Sequence, residues 1–261
     1  MFKDNKIIVG KNKKYEACLL TNLANRHGLI CGASGTGKTI TSKVMAESLS
    51  DAGVPVFMAD VKGDLAGTAV IGEMNDNTKN RVDSLGLDDF EVKEFPVRFW
   101  DVFRVNGHPV KFRVEDVGPN ILSMMLGLSE AQEGVLNILF KIVQDNNWPL
   151  DKLEDLKTAL NYIGEHRSEY TTDYGNITTQ SVGVILRSLS VLENQGIDNF
   201  FGEPDLDIKD FIAFDQNGKG IINILDAVEL YKNPDLYSAI KSSHLCFNSS
   251  DLMLHCSTAN F

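Results

Sequence analysis

A chain of 261 residues, 43% hydrophobic and 23% charged, has material for a sizeable core and the composition of an ordinary soluble globular protein. Its net charge of −11 excludes a monomer that coats nucleic acid through a broad basic face, and leaves room only for local basic loops. No apolar run reaches the roughly 18 residues of a membrane span, the first residues lack the apolar stretch of a secretory signal, and Cys18, Cys31, Cys246 and Cys256 are too scattered for a disulfide framework or a paired metal site; a cytoplasmic protein with free thiols is expected.

In chain order, the first chemical signal is Gly32-Ala33-Ser34-Gly35-Thr36-Gly37-Lys38-Thr39, which fits G-x-x-x-x-G-K-[ST] at every position. The glycines let backbone amides curl around phosphate oxygens, Lys38 places a cation on the β- and γ-phosphates, and Thr39 offers a hydroxyl to Mg²⁺. Such a loop also needs a helix N-terminus behind it, where free amides and the helix dipole attract anions. The context predicts a strand at residues 28–31 ("GLIC"), then the loop, then a helix carrying Ile40, Val44, Ala46 and Leu49 and stopped by Gly53.

The run from Val54 to Ala59 reads as a strand buried on both faces of a parallel sheet. Asp60 falls at its carboxyl end, where open α/β sheets bind ligands, which puts its carboxylate in position to face phosphates. The same residues, with Asp64, also suit a plain strand-end turn of solvated carboxylates. "DVKG" matches the D-x-x-G of a GTPase switch, but it follows the loop helix directly and the chain has no N-K-x-D guanine-reading element.

Further on, "VRFWDVF" and "HPVKFRV" flank Asn106-Gly107, a hairpin signal because both residues tolerate positive φ. Residues 127–147 read as a helix with a capping box at Ser129 and Gln132, an apolar stripe of Val135, Leu136, Leu139, Ile142 and Val143, and Pro149 as its close. Two more amphipathic helices follow in "LEDLKTALNYI" and "SVGVILRSLSVLENQG". Arg187 lies off the apolar stripe, as a solvated helix-face residue or as one reaching a neighbouring active site. The five histidines show no metal-ligand spacing, no nucleophile elbow competes with the loop, and Trp100 and Trp148 read as core or surface anchors.

"NRHGLICGASGTGKT" followed by "AGVPVFMADVKGDL" resembles the HerA/FtsK superfamily of P-loop ATPases, most closely the bacterial HerA-like family of helicases or nucleoside-triphosphate hydrolases. The likeness continues through "FPVRFWDVF", "GHPV", "MLGLSEAQEGVLNILF", "LKTALNYIGEH", "YGNITTQSVGVILRSL", "FFGEP" and "GKGIINILDA", over residues 5–240. It implies an α/β fold: a RecA-like core of mostly parallel sheet with a helical insertion, assembled as a hexameric ring that moves DNA or another polymer with ATP and Mg²⁺. Lys38 and Thr39 then become phosphate and Mg²⁺ residues, Asp60 an acid that organises Mg²⁺ or the attacking water, and Arg26 a weaker match for a phosphate or subunit-contact arginine. The division that follows is N-terminal strands and P-loop core over 1–114, helical insertion over 115–203, a return to the sheet over 204–240, and an atypical tail over 241–261.

A P-loop motor also needs an apolar strand ending in Asp-Glu, for Mg²⁺ and the attacking water. "FIAFDQ" ends in Asp215 and "IINILDA" in Asp226, and neither supplies the glutamate; Asn223 also interrupts the second run. From Lys241 onwards the family pattern fails, which reads as a truncated or frame-shifted family member whose sheet keeps an uncovered edge and whose solubility is marginal. Two alternatives to an active ATPase stand beside it. One is a nucleotide-binding fragment without turnover; the other, a small-molecule phosphotransferase, needs a lid with catalytic arginines, for which the chain offers only the well-separated Arg167 and Arg187.

Overall fold

The computed structural model of the chain is described here for residues 1–232 apart from residues 13, 88, 197–199 and 205–206. The readings made above for residues 233–261 lie outside the described residues. Two compact units result: Met1–Trp100 with Asp207–Val228, and Asp101–Leu206 together with residues 229–232.

The first unit opens with an antiparallel meander of β1 (Phe2–Lys3), β2 (Lys6–Lys11) and β3 (Glu16–Leu20). Asp4 and Asn5 both take positive φ, 50° and 57°, the geometry a two-residue hairpin loop needs. Helix α1 (Lys38–Asp51) packs on β2 through a face of small residues, with Ser42, Ala46, Ser48, Leu49 and Ser50 buried. The buried hydroxyls are satisfied: Ser42 Oγ donates to Lys38 O (3.1 Å) and Ser50 Oγ to Gly220 O (2.6 Å). Small side chains allow close approach, and at Gly220 an added Cβ would stand 2.2 Å from Val54 C and O.

Strand β4 (Val56–Asp60) pairs in parallel with a later strand, β7 (Ile222–Asp226), in register from Val56↔Ile222 to Asp60↔Asp226. On the far side of β7 lies β5 (Val97–Asp101). Ile7, Ala46, Leu49, Val56, Met58, Leu65, Phe95, Ile222 and Ile224 close into one core. Asn223, the polar residue in an otherwise apolar strand, is fully buried and satisfied: its Oδ1 accepts from Trp100 Nε1 (3.0 Å), and its Nδ2 donates to Phe211 O (2.9 Å) and Val56 O (3.2 Å). Between β4 and β5, the polar helix α2 (Asp76–Leu85) buries no residue and is held by its ends, Asn75 accepting from Thr78 N and Gly86 turning left-handed.

The second unit contains the two-residue strand β6 (His108–Pro109) and five helices, α3 (Val114–Met125), α4 (Glu130–Asn146), α5 (Leu153–Glu165), α6 (Arg167–Tyr174) and α7 (Thr179–Asn194). Helix α3 is interrupted at Gly118 (φ 76°) before Pro119. In α4 the Ser129–Gln132 capping box forms and the five expected stripe residues are the buried ones. The helix stops at Asn147 (φ 52°), two residues before Pro149. Helix α4 packs on α3 and α7, and α5 on α7.

Three local readings change. Residues 28–31 are not a strand; Leu29 is 80% exposed. Four apolar residues make a strand only beside a pairing neighbour, and among the described residues none pairs with them. Nor is Asn106-Gly107 the turn after β5: the left-handed residue there is Arg104 (φ 61°). The reason is Asp101, whose carboxylate accepts from Phe103 N, Val105 N and Asn106 N (2.7–2.8 Å) and winds the chain into a wide loop first. Asp215 sits in a tight turn, accepting from Asn217 N and Lys219 N (both 2.8 Å). Among the described residues no helix is long and apolar enough to cross a membrane.

Candidate nucleotide-binding site

The loop of residues 32–37 is shaped by its glycines and one threonine. Gly35 and Gly37 take φ of 78° and 93°, which side-chain-bearing residues rarely adopt. At Gly32 an added Cβ would lie 2.4 Å from Thr36 Oγ1. That hydroxyl donates to Ala33 O (2.8 Å) and closes the turn.

Helix α1 begins at Lys38 with Gly37 as its cap and no side-chain hydrogen bond on its first amides. Those donors therefore stay directed at the loop mouth, where the positive end of the helix dipole also lies. Lys38 Nζ donates to Gly32 O (2.6 Å) and Ala33 O (2.9 Å), holding its charge at the same mouth. The loop from Gly32 to Thr36 is exposed and Gly37 to Thr39 half-buried.

Thr39 lines a small cleft with Ser42, Asp60, Lys62 and Asp64, about 30 Å³ in volume, which is the scale of one water molecule. The loop across that cleft is fixed from both sides. Asp60, buried at the end of β4, accepts with Oδ1 from Lys62 N (3.1 Å), Gly63 N (2.7 Å) and Asp64 N (3.2 Å), and with Oδ2 from Leu65 N (2.9 Å). From α1, Lys43 Nζ donates to Asp64 O (2.7 Å).

Asp60 thus forms a strand-end turn, one of the two readings its sequence position allowed, and does so as a buried carboxylate. Three backbone amides reach Oδ1 and one reaches Oδ2, so the carboxylate organises its own loop while Oδ2 keeps a further acceptor direction. Lys43 is the residue that motif reading missed. Its signal was helical spacing, since position 43 is one turn beyond Thr39 on the same face.

The structure also sorts the remaining candidates. Asp226 lies beside Asp60 in the sheet register and accepts from Val228 N (3.1 Å). Arg26 is exposed, and Arg187 is exposed on α7 of the second unit. Among the described residues no three His, Cys, Asp or Glu side chains form a metal-holding group, so a divalent ion here would depend on the phosphates that accompany it.

A family profile described as helicase HerA-like C-terminal matches residues 5–248. The chain belongs to that family. The match continues eight residues into the segment read above as atypical. Two solved structures share the fold, each with a TM-score of 0.50. One is the bacterial conjugative coupling protein TrwBΔN70 in its trigonal form with sulphate (12% identity, 92% of this chain and 54% of that one). The other is VirB4 of Thermoanaerobacter pseudethanolicus (13% identity, 95% and 64%). The chain therefore spans between half and two thirds of each. A search of curated proteins gave no significant match. Loop, helix and parallel strands form an α/β, RecA-like P-loop core of the HerA/FtsK class.

Proposed function

We propose that the chain binds Mg-ATP at residues 32–39 and hydrolyses it as the motor domain of a DNA translocase or helicase-like assembly. The observation that carries this reading is the junction of loop and helix. Two left-handed glycines, a tightly approached Gly32 and an uncapped helix start bring backbone amides to one mouth beneath the Lys38 ammonium. Amides and a cation are the donors that phosphate oxygens accept from, so a triphosphate fits.

Lys38 would exchange its two carbonyl contacts for phosphate oxygens, and Thr39 would offer its hydroxyl to Mg²⁺. The ion supplies neutralisation of the phosphate charge. Asp60 and Lys43 act one layer back, holding residues 61–65 across from Thr39. DNA as the polymer and a homo-oligomeric ring are read from the family, and a cytoplasmic location from the sequence.

A second reading, nucleotide binding without turnover, is favoured by Asp60, whose Oδ1 accepts from three loop amides and Oδ2 from one. One experiment separates the two: Mg²⁺-dependent ATP turnover beside Lys38→Ala, with nucleotide binding recorded on the same samples. Turnover lost in Lys38→Ala supports the motor reading, and binding without turnover supports the second. No binding of ATP by the unaltered chain overturns both.

A further inference from the structure

The second unit carries a row of aromatic rings that reach its surface. Trp148 stands edge-on to Tyr162, with centroids 5.3 Å apart and planes at 87°. Tyr162 stacks on His166 at 4.3 Å and 23°. Tyr170 lies 6.1 Å from Tyr174, whose hydroxyl donates to Asp145 Oδ2 (3.1 Å). The five rings make up an aromatic strip of two groups: Trp148, Tyr162 and His166 in edge and stacking contact after α4 and at the end of α5, and Tyr170 with Tyr174 on α6. Tyr162 is 42% exposed and the other four are half-buried.

Charge identifies what such a strip can hold. Bases stack on aromatic rings, but a nucleic acid also needs cations for its phosphates. Here the balance has the opposite sign: residues 145–174 contain seven Asp and Glu against three Lys and Arg, and residues 101–206 sixteen against eight. Of those three cations, Lys157 is paired with Glu193. Asp145, Asp173 and Tyr174 share an open depression of about 550 Å³, and Lys141 within it is held by Asp145 (2.8 Å). Electron-rich ring faces beside carboxylates attract guanidinium and ammonium groups through cation–π contact and ion pairing together.

We propose that this strip is a docking surface for an arginine- or lysine-rich segment of a partner protein. The strip shares no residue with the P-loop and does not depend on the nucleotide reading. Fluorescence anisotropy on the full 261-residue chain tests it, with a fluorescein-labelled peptide of alternating arginine and glycine as probe and labelled single-stranded oligo(dT) as the comparison. The peptide should bind with an affinity that falls as salt rises. The double variant Tyr162→Ala/Tyr170→Ala should weaken it about tenfold, and Glu169→Gln/Asp173→Asn about threefold. The second pair alters only exposed carboxylates, so it keeps the test valid if loss of the rings disturbs α5 and α6. Because the whole chain is acidic, peptide binding unchanged in both double variants would mean general charge attraction and overturn the proposal. Absence of peptide binding, or oligo(dT) binding that the tyrosine variant abolishes, would overturn it as well.

Discussion

Asp60 and Asp226 stand side by side, in register, at the carboxyl ends of two paired parallel strands. Each accepts amide hydrogens from the chain leaving its own strand, and Ala227 N donates across to Asp60 O (2.9 Å). The sheet edge nearest Thr39 is therefore built by carboxylates that turn the backbone.

Removing the Asp60 carboxylate leaves four loop amides without their acceptor. Asp60→Ala should cost about 2–4 kcal/mol, since buried unpaired donors are expensive, and nucleotide affinity should fall with it as residues 61–65 leave the cleft. Asp60→Asn keeps one acceptor oxygen and should fall between the two. Urea unfolding of the three proteins checks the order; equal midpoints would contradict the assigned role.

Lys43 offers a milder test of the same loop. Lys43→Met removes one donor to Asp64 O at the protein surface, so stability should change by less than about 1 kcal/mol. Affinity for ATP should drop about threefold through loop position alone, measurable by titration with a fluorescent nucleotide analogue. A loss as deep as that of Lys38→Ala would instead mean direct contact with phosphate.

Trp100 and Asn223 are coupled through a buried hydrogen bond of 3.0 Å. Trp100→Phe should destabilise the first unit by about 2–3 kcal/mol, combining lost packing with an unpaired amide oxygen. Asn223→Leu should cost as much, because it strands the indole N–H and the carbonyls of Val56 and Phe211. A double-mutant cycle should give coupling of about 1 kcal/mol or more; simple additivity would dismiss the bond as a contributor.

Gly220 tolerates no side chain. A Cβ there would meet the backbone of Val54 at 2.2 Å and Pro55 N at 2.4 Å, and backbone atoms cannot rotate aside. Gly220→Ala should cost about 3 kcal/mol or prevent folding of the first unit. Gly218→Ala, strained by φ of 78° but with open space, should cost only about 1 kcal/mol.

Glu47, half-buried on α1, has its carboxyl pushed above the usual range, first by burial and then by Asp51, against the opposing pull of Lys43. The folded state therefore holds the Glu47 proton more tightly than the unfolded chain does. Its stabilising effect is complete below the unfolded pKa of about 4.3 and fades as pH rises through the raised value. Glu47→Gln should raise Tm by roughly 2 °C at pH 7 and leave it unchanged near pH 4. A gain of equal size at both pH values would point to packing instead.

The phosphate-binding loop was legible in sequence because its requirements are local: glycines at 35 and 37 set the backbone, and Lys38 and Thr39 follow at fixed spacing. The same holds for α4, whose capping box and five-residue stripe depend only on neighbours three and four positions away. The strands at 56–60 and 222–226 were visible as apolar runs. Other features rest on segments far apart in the chain. Whether residues 28–31 form a strand depends on a pairing neighbour, which no run of four residues supplies. Asn223 looked like a defect in an apolar run until Trp100 and Phe211 were brought to it from other elements. Asp60 read either as an acid facing phosphates or as a strand-end turn, because composition does not reveal which amides reach a carboxylate; the turn was decided by the path of the backbone after β4. Sequence determined the chemistry available at each position, and tertiary structure decided which groups remained free to use it, because hydrogen-bond partners are assigned by proximity in space.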